Sequence, residues 1–225
     1  MRDDTNVGSG LPMPRRRTFA AAIQASVGRL PANPFTTRQT RPGRLPPLDV
    51  AGRLLDVAGL LADIGRRGAV GIEGPHGTGK STLLAALAAE AAAGGRQASV
   101  WRLDRRRDAR RVARALLWAP AGSVVCLDGW EAIGGLGRWM IRFVARRRGV
   151  ALVVTSHRPT RLPLVIRTAG SLPLLEAIVE RLPSAGGLID RADLAAACHT
   201  RAGNLREALL DLYDRFEARA RQQGS

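Results

Sequence analysis

The stretch GIEGPHGTGKST, Gly71 to Thr82, holds Lys80, the only lysine in a chain that carries 35 lysines and arginines. Its spacing is Gly74-x-x-x-x-Gly79-Lys80-Ser81. Glycines at these positions let the backbone turn so tightly that successive N–H groups point inward at phosphate oxygens. A helix that starts near Lys80 adds the positive potential of its N-terminus, and Ser81 offers a hydroxyl to Mg²⁺. The solitary lysine fits the same reading. Arginine is a planar, bulky fork, whereas a compact ammonium on a flexible stem threads between β- and γ-phosphates. Gly74, Pro75, His76, Gly77, Thr78, Gly79, Lys80, Ser81 and Thr82 are therefore expected to cradle a triphosphate.

Working outward, AVGIE before the loop is a short buried strand, and KSTLLAALAAEAAAGG after it is a strong helix former closed by Gly94 and Gly95. The alternation continues. SVWRL (99–103) reads as a strand, DRRRDARRVARALLW as a helix capped by Asp104, and SVVCLD (123–128) as a buried strand. A helix follows from about Leu136, then the apolar strand VALVVTS (150–156) and a short fifth strand, LVIRT (164–168). Upstream, Val50, Leu54, Leu55, Val57, Leu60, Leu61 and Ile64 recur at helical spacing. Strands fit for burial on both faces, alternating with helices, predict an α/β fold of three layers around a five-stranded, mainly parallel sheet. The tail reads as helices, and Asn204 and Glu207 have the spacing of a capping box. The expected division is a basic, proline-rich arm over 1–46, an α/β core over 47–182 and a small helical lid over 183–225.

Composition narrows the chemistry. The chain has 225 residues, 45% of them hydrophobic and 4% aromatic, so its core is built from Leu, Val and Ile. The net charge of +16 attracts phosphate backbones. Cys126 and Cys198 lie in apolar surroundings without paired spacing, which predicts free thiols in a reducing compartment. His76, His157 and His199 are scattered along the chain and no C-x-x-C occurs, which argues against a metal cluster. No apolar run reaches the ~18 residues of a membrane helix. Arg16-Arg17-Thr18-Phe19 has a faint twin-arginine look, but the stretch after it is short and interrupted by Gln24, so the cytoplasm is the expected location. Prolines at 12, 14, 31, 34, 42 and 46 predict disorder before about residue 30 and extended docking after it.

The glycine-lysine-serine loop resembles the Walker A loop of P-loop NTPases. Asp128 ends VVCLD 48 residues after Lys80 and resembles a Walker B aspartate, which with Ser81 would hold the Mg²⁺ of an ATP complex. From about residue 48 to 215 the chain looks most like the AAA+ ATPases, particularly their compact origin-recognition-like and signal-transduction forms. That resemblance implies a γ-phosphate sensor at Thr155 or Ser156, a second sensor at Arg206 in GNLREALLDLYD, and an adenine pocket lined by NPFTTRQTRPGRLPPLD. Two departures stand out. Gly129 occupies the position where such enzymes usually carry a water-activating glutamate, and the nearest carboxylate is Glu131. The link SHRPTRLP is too short for the helix that presents an arginine finger in ring-forming members, although Arg158 or Arg161 could still meet phosphate charge. The implied function is a slow ATPase or a nucleotide-operated switch that binds ATP and ADP, with a protein partner reading the C-terminal helices.

Two other readings stay open. IEG before GKST also resembles thymidylate and deoxynucleoside kinases, with Asp104-Arg105-Arg106-Arg107-Asp108 as an acceptor or lid motif; alternatively, Asp104 and Asp108 pair with Arg107 and Arg111 on a solvated helix. An ATP-regulated nucleic-acid binder is the third reading. It draws on Arg107, Arg111 and Arg114 along one helix face, Arg146 to Arg148 at the end of another, and Arg15 to Arg17 in the arm, without the aromatic interleaving that single-strand stacking needs.

Overall fold

Five apolar runs pair into one sheet in the computed structural model, which describes residues 32–185 and 187–223. Arg15 to Arg17, the twin-arginine stretch and the arm up to residue 31 lie outside the described residues. The strands are β1 (Ala69–Glu73), β2 (Ala98–Arg102), β3 (Val124–Asp128), β4 (Ala151–Ser156) and β5 (Leu164–Arg167), in the order β2-β3-β4-β1-β5. Every pairing is parallel, so the sheet is uniformly rather than mainly parallel.

The helices are α1 (Thr37–Thr40), α2 (Val57–Arg67), α3 (Lys80–Ala93), α4 (Asp108–Trp118), α5 (Gly135–Arg148), α6 (Leu172–Val179), α7 (Arg191–Thr200) and α8 (Leu205–Gln223). Alternation along β3 makes the three layers. Val124 and Cys126 face Leu61 and Ile64 of α2 and Leu83, Leu84 and Leu87 of α3. Val125 and Leu127 face Val112 and Leu116 of α4 and Ile141 of α5. A separate apolar cluster joins α6, α7 and α8 to Phe35, whose ring meets Phe216 edge-on at 6.4 Å. The segment docks as expected at Asn33 and Phe35, but through a turn at 34–35 and the helical turn α1 rather than as extended chain.

Two helix starts differ from the sequence expectation, both because an aspartate competes for backbone amides. Asp49 accepts from the amides of Ala51 and Arg53, which folds 49–53 into a turn, and α2 begins only where Asp56 accepts from Gly59 N at 2.9 Å. Asp104 does not cap α4. Asp108 takes the amides of Asp104 and Arg105, at 3.0 and 2.9 Å, with its own carboxylate.

The link from β4 to β5 crosses β1 in seven residues, 157–163, without a helix. It can be this short because β5 pairs only with Gly71–Glu73, the C-terminal half of β1, so the chain has little depth to recover. Gly71 makes the crossing possible: a Cβ there would collide with the Thr160 side chain. Glu73 Oε1 clamps the link by accepting from Thr160 N at 2.8 Å and Thr160 Oγ1 at 3.0 Å, and the Thr160 amide holds that carboxyl below its usual range. Among the described residues no helix is long and apolar enough to cross a membrane.

Candidate functional site

Parallel register brings the C-terminal strand ends to one edge of the sheet. Ile72 pairs with Thr155 and Asp128 pairs with the same Thr155, so the loop that leaves β1 and the carboxylate that ends β3 flank the end of β4. The loop 74–79 runs into α3, whose first residue is Lys80. Thr78 is buried and ties the loop to its surroundings, with Oγ1 2.8 Å from Pro75 O and 2.7 Å from Thr168 Oγ1.

Lys80 Nζ folds back onto its own loop and donates to Gly74 O at 2.7 Å and Pro75 O at 2.5 Å. Burial pushes the ammonium below its ordinary value, Asp128 and Glu131 pull it up, and Arg206 adds to the depression. Lysine, two carboxylates and an arginine thus share one electrostatic neighbourhood. Ser81 Oγ donates to Asp128 Oδ2 at 2.8 Å, and Thr155 Oγ1 donates to Asp128 Oδ1 at 2.5 Å.

Gly129 has a local cause. Its φ is 90°, and a Cβ would lie 2.6 Å from the Leu103 carbonyl oxygen, because β2 presses on this turn through Leu103 N to Asp128 O at 2.8 Å. No side chain fits here, and the carboxylate stands two residues on, in the 3₁₀ turn Trp130–Ala132. Glu131 Oε1 pairs with His157 Nδ1 at 2.6 Å, while its buried Oε2 has no hydrogen-bond partner. Burial raises the Glu131 pKa, but its own amide, Ser156 and His157 outweigh that and hold it below the ordinary glutamate value. The ring of His157 lies 4.5 Å from that of His76 in the loop.

The histidines expected to be scattered are therefore two-thirds gathered. His76 follows β1 and His157 follows β4, adjacent strands whose ends pair at Glu73 and Ser156. Asn204 does more than cap α8. Its amide accepts from Glu207 N at 3.3 Å, and it also packs so closely on the loop that a Cβ at Gly77 would strike it. Arg206 Cβ would sit 3.3 Å from the same Cβ, so the N-terminus of α8 rests on the loop; the Arg206 guanidinium makes no hydrogen bond or ion pair among the described residues. Arg158 and Arg161 lie exposed on the β4–β5 link. The segment proposed for adenine runs beside the C-terminal helices, with Asn33 Nδ2 on Tyr213 O at 3.2 Å and on Glu217 Oε1 at 2.9 Å. Ser81, Thr82, Asp128, Glu131 and Thr155 are all partly or fully buried in this cluster.

The donors suit a hard divalent ion shared with phosphate. A hydroxyl and a carboxylate already in contact, Ser81 and Asp128, are the oxygen ligands that would hold such an ion. Among the described residues no group of three or more His, Cys, Asp or Glu could hold a metal unaided. Both cysteines are free, and burial pushes Cys126 up to about 12, which makes that thiol inert.

The same arrangement of strands and helices recurs in solved structures. The replication initiator DnaA, in a structure bound to AMPPCP and single-stranded DNA, matches 74% of this chain and 62% of its own length, with a TM-score of 0.55 and 15% identity. A DNA replication initiation factor matches the same shares at TM-score 0.51 and 16% identity. A point mutant of RuvB from Thermotoga maritima matches 68% of this chain and 57% of its own, at TM-score 0.50 and 19% identity. The chain thus spans less than two thirds of the length of each. No protein-family model matches the sequence, and no curated protein matches it. These likenesses give the fold, a P-loop NTPase fold of the AAA+ kind.

Proposed function

We propose that the chain binds Mg-ATP on the loop 74–82 and hydrolyses it slowly, with the bound nucleotide setting the position of its C-terminal helices. The reading rests on one observation above others: Lys80, the bonded pair Ser81 and Asp128, Thr155 and the half-paired Glu131 converge on one strand edge. In this reading Lys80 leaves its two loop carbonyls for β- and γ-phosphate oxygens, and the loop amides take the rest of the charge. Ser81 and Asp128 would hold Mg²⁺, whose chemistry there would be to neutralise phosphate charge. Thr155, now on Asp128, and Arg206, on the face of α8 that meets the loop, sense the γ-phosphate.

Glu131 is the base in this scheme. Its carboxylate is ionised at neutral pH, His157 fixes one oxygen, and the other, buried and without a hydrogen-bond partner, takes the proton of the attacking water once the nucleotide opens the site to it. In this reading the nucleotide core, expected over 47–182, ends before α6, which packs with α7, α8 and Phe35 as part of the lid. The free thiols suit a cytoplasmic protein. A nucleic-acid partner agrees with the +16 charge and with the DNA held by one structural neighbour.

The test is equilibrium binding of ATP with and without Mg²⁺, beside phosphate release over hours and no added acceptor, in the native chain and in Lys80→Ala. Mg²⁺-dependent binding and slow release, both lost in Lys80→Ala, are expected. Binding without release would turn the reading to a switch or a kinase and call for a nucleoside panel; no binding at all would overturn it.

A further inference from the structure

The opposite edge of the sheet, where β1 and β4 begin, carries a groove of about 820 Å³. Its walls include Arg67, Arg96, Trp139, Arg142, Phe143 and Arg146, and no carboxylate lines it. Helix α5 explains the aromatic wall. Ile141 and Ala145 face the core, whereas Leu136, Trp139 and Phe143, on the far side of the same helix, are 80%, 61% and 47% exposed. An apolar stripe on the outermost face of a helix has no role in folding this chain.

The stripe is built as a stack. The Trp139 and Phe143 rings lie 5.4 Å apart at 14°, and the Arg147 guanidinium lies 5.2 Å from the Phe143 centroid. These three follow one another at i, i+4 and i+8 along α5, so Arg147 closes the stack at one end and Trp139 stands open at the other. Arg142 and Arg146 flank it without an ion pair or hydrogen bond among the described residues. Arg96 spends only Nε, on Gly122 O at 2.8 Å, and Arg67 is paired with Asp63 at 2.7 Å. The expectation of arginines without interleaved aromatics fails here, because the interleaving is spatial: residues four apart on a helix share a face.

We infer that this groove binds single-stranded nucleic acid, with a base stacked on Trp139 and the neighbouring phosphates on Arg142, Arg146 and Arg96. A flat π-face beside unpaired guanidiniums matches a base joined to phosphate, and the carboxylate-free lining on a chain of +16 favours a polyanion. A duplex is disfavoured because its bases already cover one another. The site lies across the sheet from the loop 74–82 and apart from the α4 arginines, so it stands or falls independently of the ATP reading.

The test is fluorescence anisotropy of a labelled oligothymidylate of about 20 nucleotides, longer than the ~4–16 that one such site takes, titrated with the full chain at several salt concentrations. Trp139→Ala is expected to weaken binding about tenfold or more, as loss of one base–aromatic stack does, while Trp139→Phe keeps most of it. The pair Arg142→Gln and Arg146→Gln should lower the slope of log affinity against log salt by about 1.4, two phosphates at ~0.7 each. Lys80→Ala should bind as the native chain does, and an unlabelled duplex should compete poorly. Undiminished binding by Trp139→Ala overturns the proposal, as does an equal loss in Trp139→Phe. Binding abolished by Arg107→Gln, Arg111→Gln and Arg114→Gln but indifferent to Trp139 also overturns it, as does a poly-glutamate peptide that binds through Trp139 where the oligonucleotide does not.

Discussion

Gly129 determines where a base can stand: with Leu103 O pressed against it, the residue after Asp128 has no room for a side chain, and Glu131 takes up a different approach. Glu131→Gln should leave ATP binding intact and lower phosphate release at least about a hundredfold, the usual scale of general-base catalysis, as rapid-mix and steady-state assays would read. His157→Ala should lower kcat with little change in KM, since the imidazole orients Glu131 rather than the nucleotide. Arg206→Ala should leave ADP affinity largely intact and weaken preference for ATP about tenfold or more, the value of a hydrogen bond to a charged group; calorimetry with both nucleotides checks it, and equal loss of both removes Arg206 as a sensor. That Lys80, Ser81 and Asp128 lie together is legible in sequence, because a short motif and a strand end carry them. The joining of His76, His157 and Glu131 was not, because it depends on β4 landing between β1 and β3, and no local signal states that order.

At the scale of elements, hydrophobic period identified all five strands and the main helices, and failed only at starts where carboxylates intervene. Val50, Leu54 and Leu55 continue the helical period of α2, yet Asp49 offers its amides a competing turn, and period alone does not weigh the two. The same kind of side chain holds the C-terminal helices together. Asp193 of α7, 5% exposed, accepts from Arg219 at 2.5 and 2.8 Å and from Arg215 at 3.1 Å on α8, and these bonds, Arg219 foremost, hold its carboxyl far below the ordinary aspartate range. Asp193→Asn should therefore cost about 1.5–3 kcal/mol of stability at neutral pH, measured by thermal or denaturant unfolding. Because the folded pKa lies below the unfolded one, the native chain should keep this contribution above the ordinary aspartate value of ~3.9 and lose it as pH falls further, while the Asn variant should lack that part of the acid dependence.

For the whole molecule, the consequences run through contacts between distant parts of the chain. Asn204 at the start of α8 touches Gly77 of the loop, and Phe35 ties the chain before the core to the helices after it, so loop, lid and the segment around Phe35 meet without a long linker. Composition sets the arm apart and the end of the strand–helix alternation sets the lid apart, whereas the shared apolar cluster of Phe35 with α6, α7 and α8 exists only in three dimensions. One feature of composition also makes the molecule its own reporter. A protease specific for lysine has a single bond to cut, Lys80–Ser81, whereas one that also cuts at arginine has many. That bond lies where the loop enters α3, so the rate at which the chain falls into two fragments reads the occupancy of one loop. Added Mg-ATP should slow the cut in proportion to binding, on a gel and without a label. An amine-directed reagent has the same single side chain to find besides the α-amino group, and its yield at Lys80, read on the peptide, should fall along the same curve.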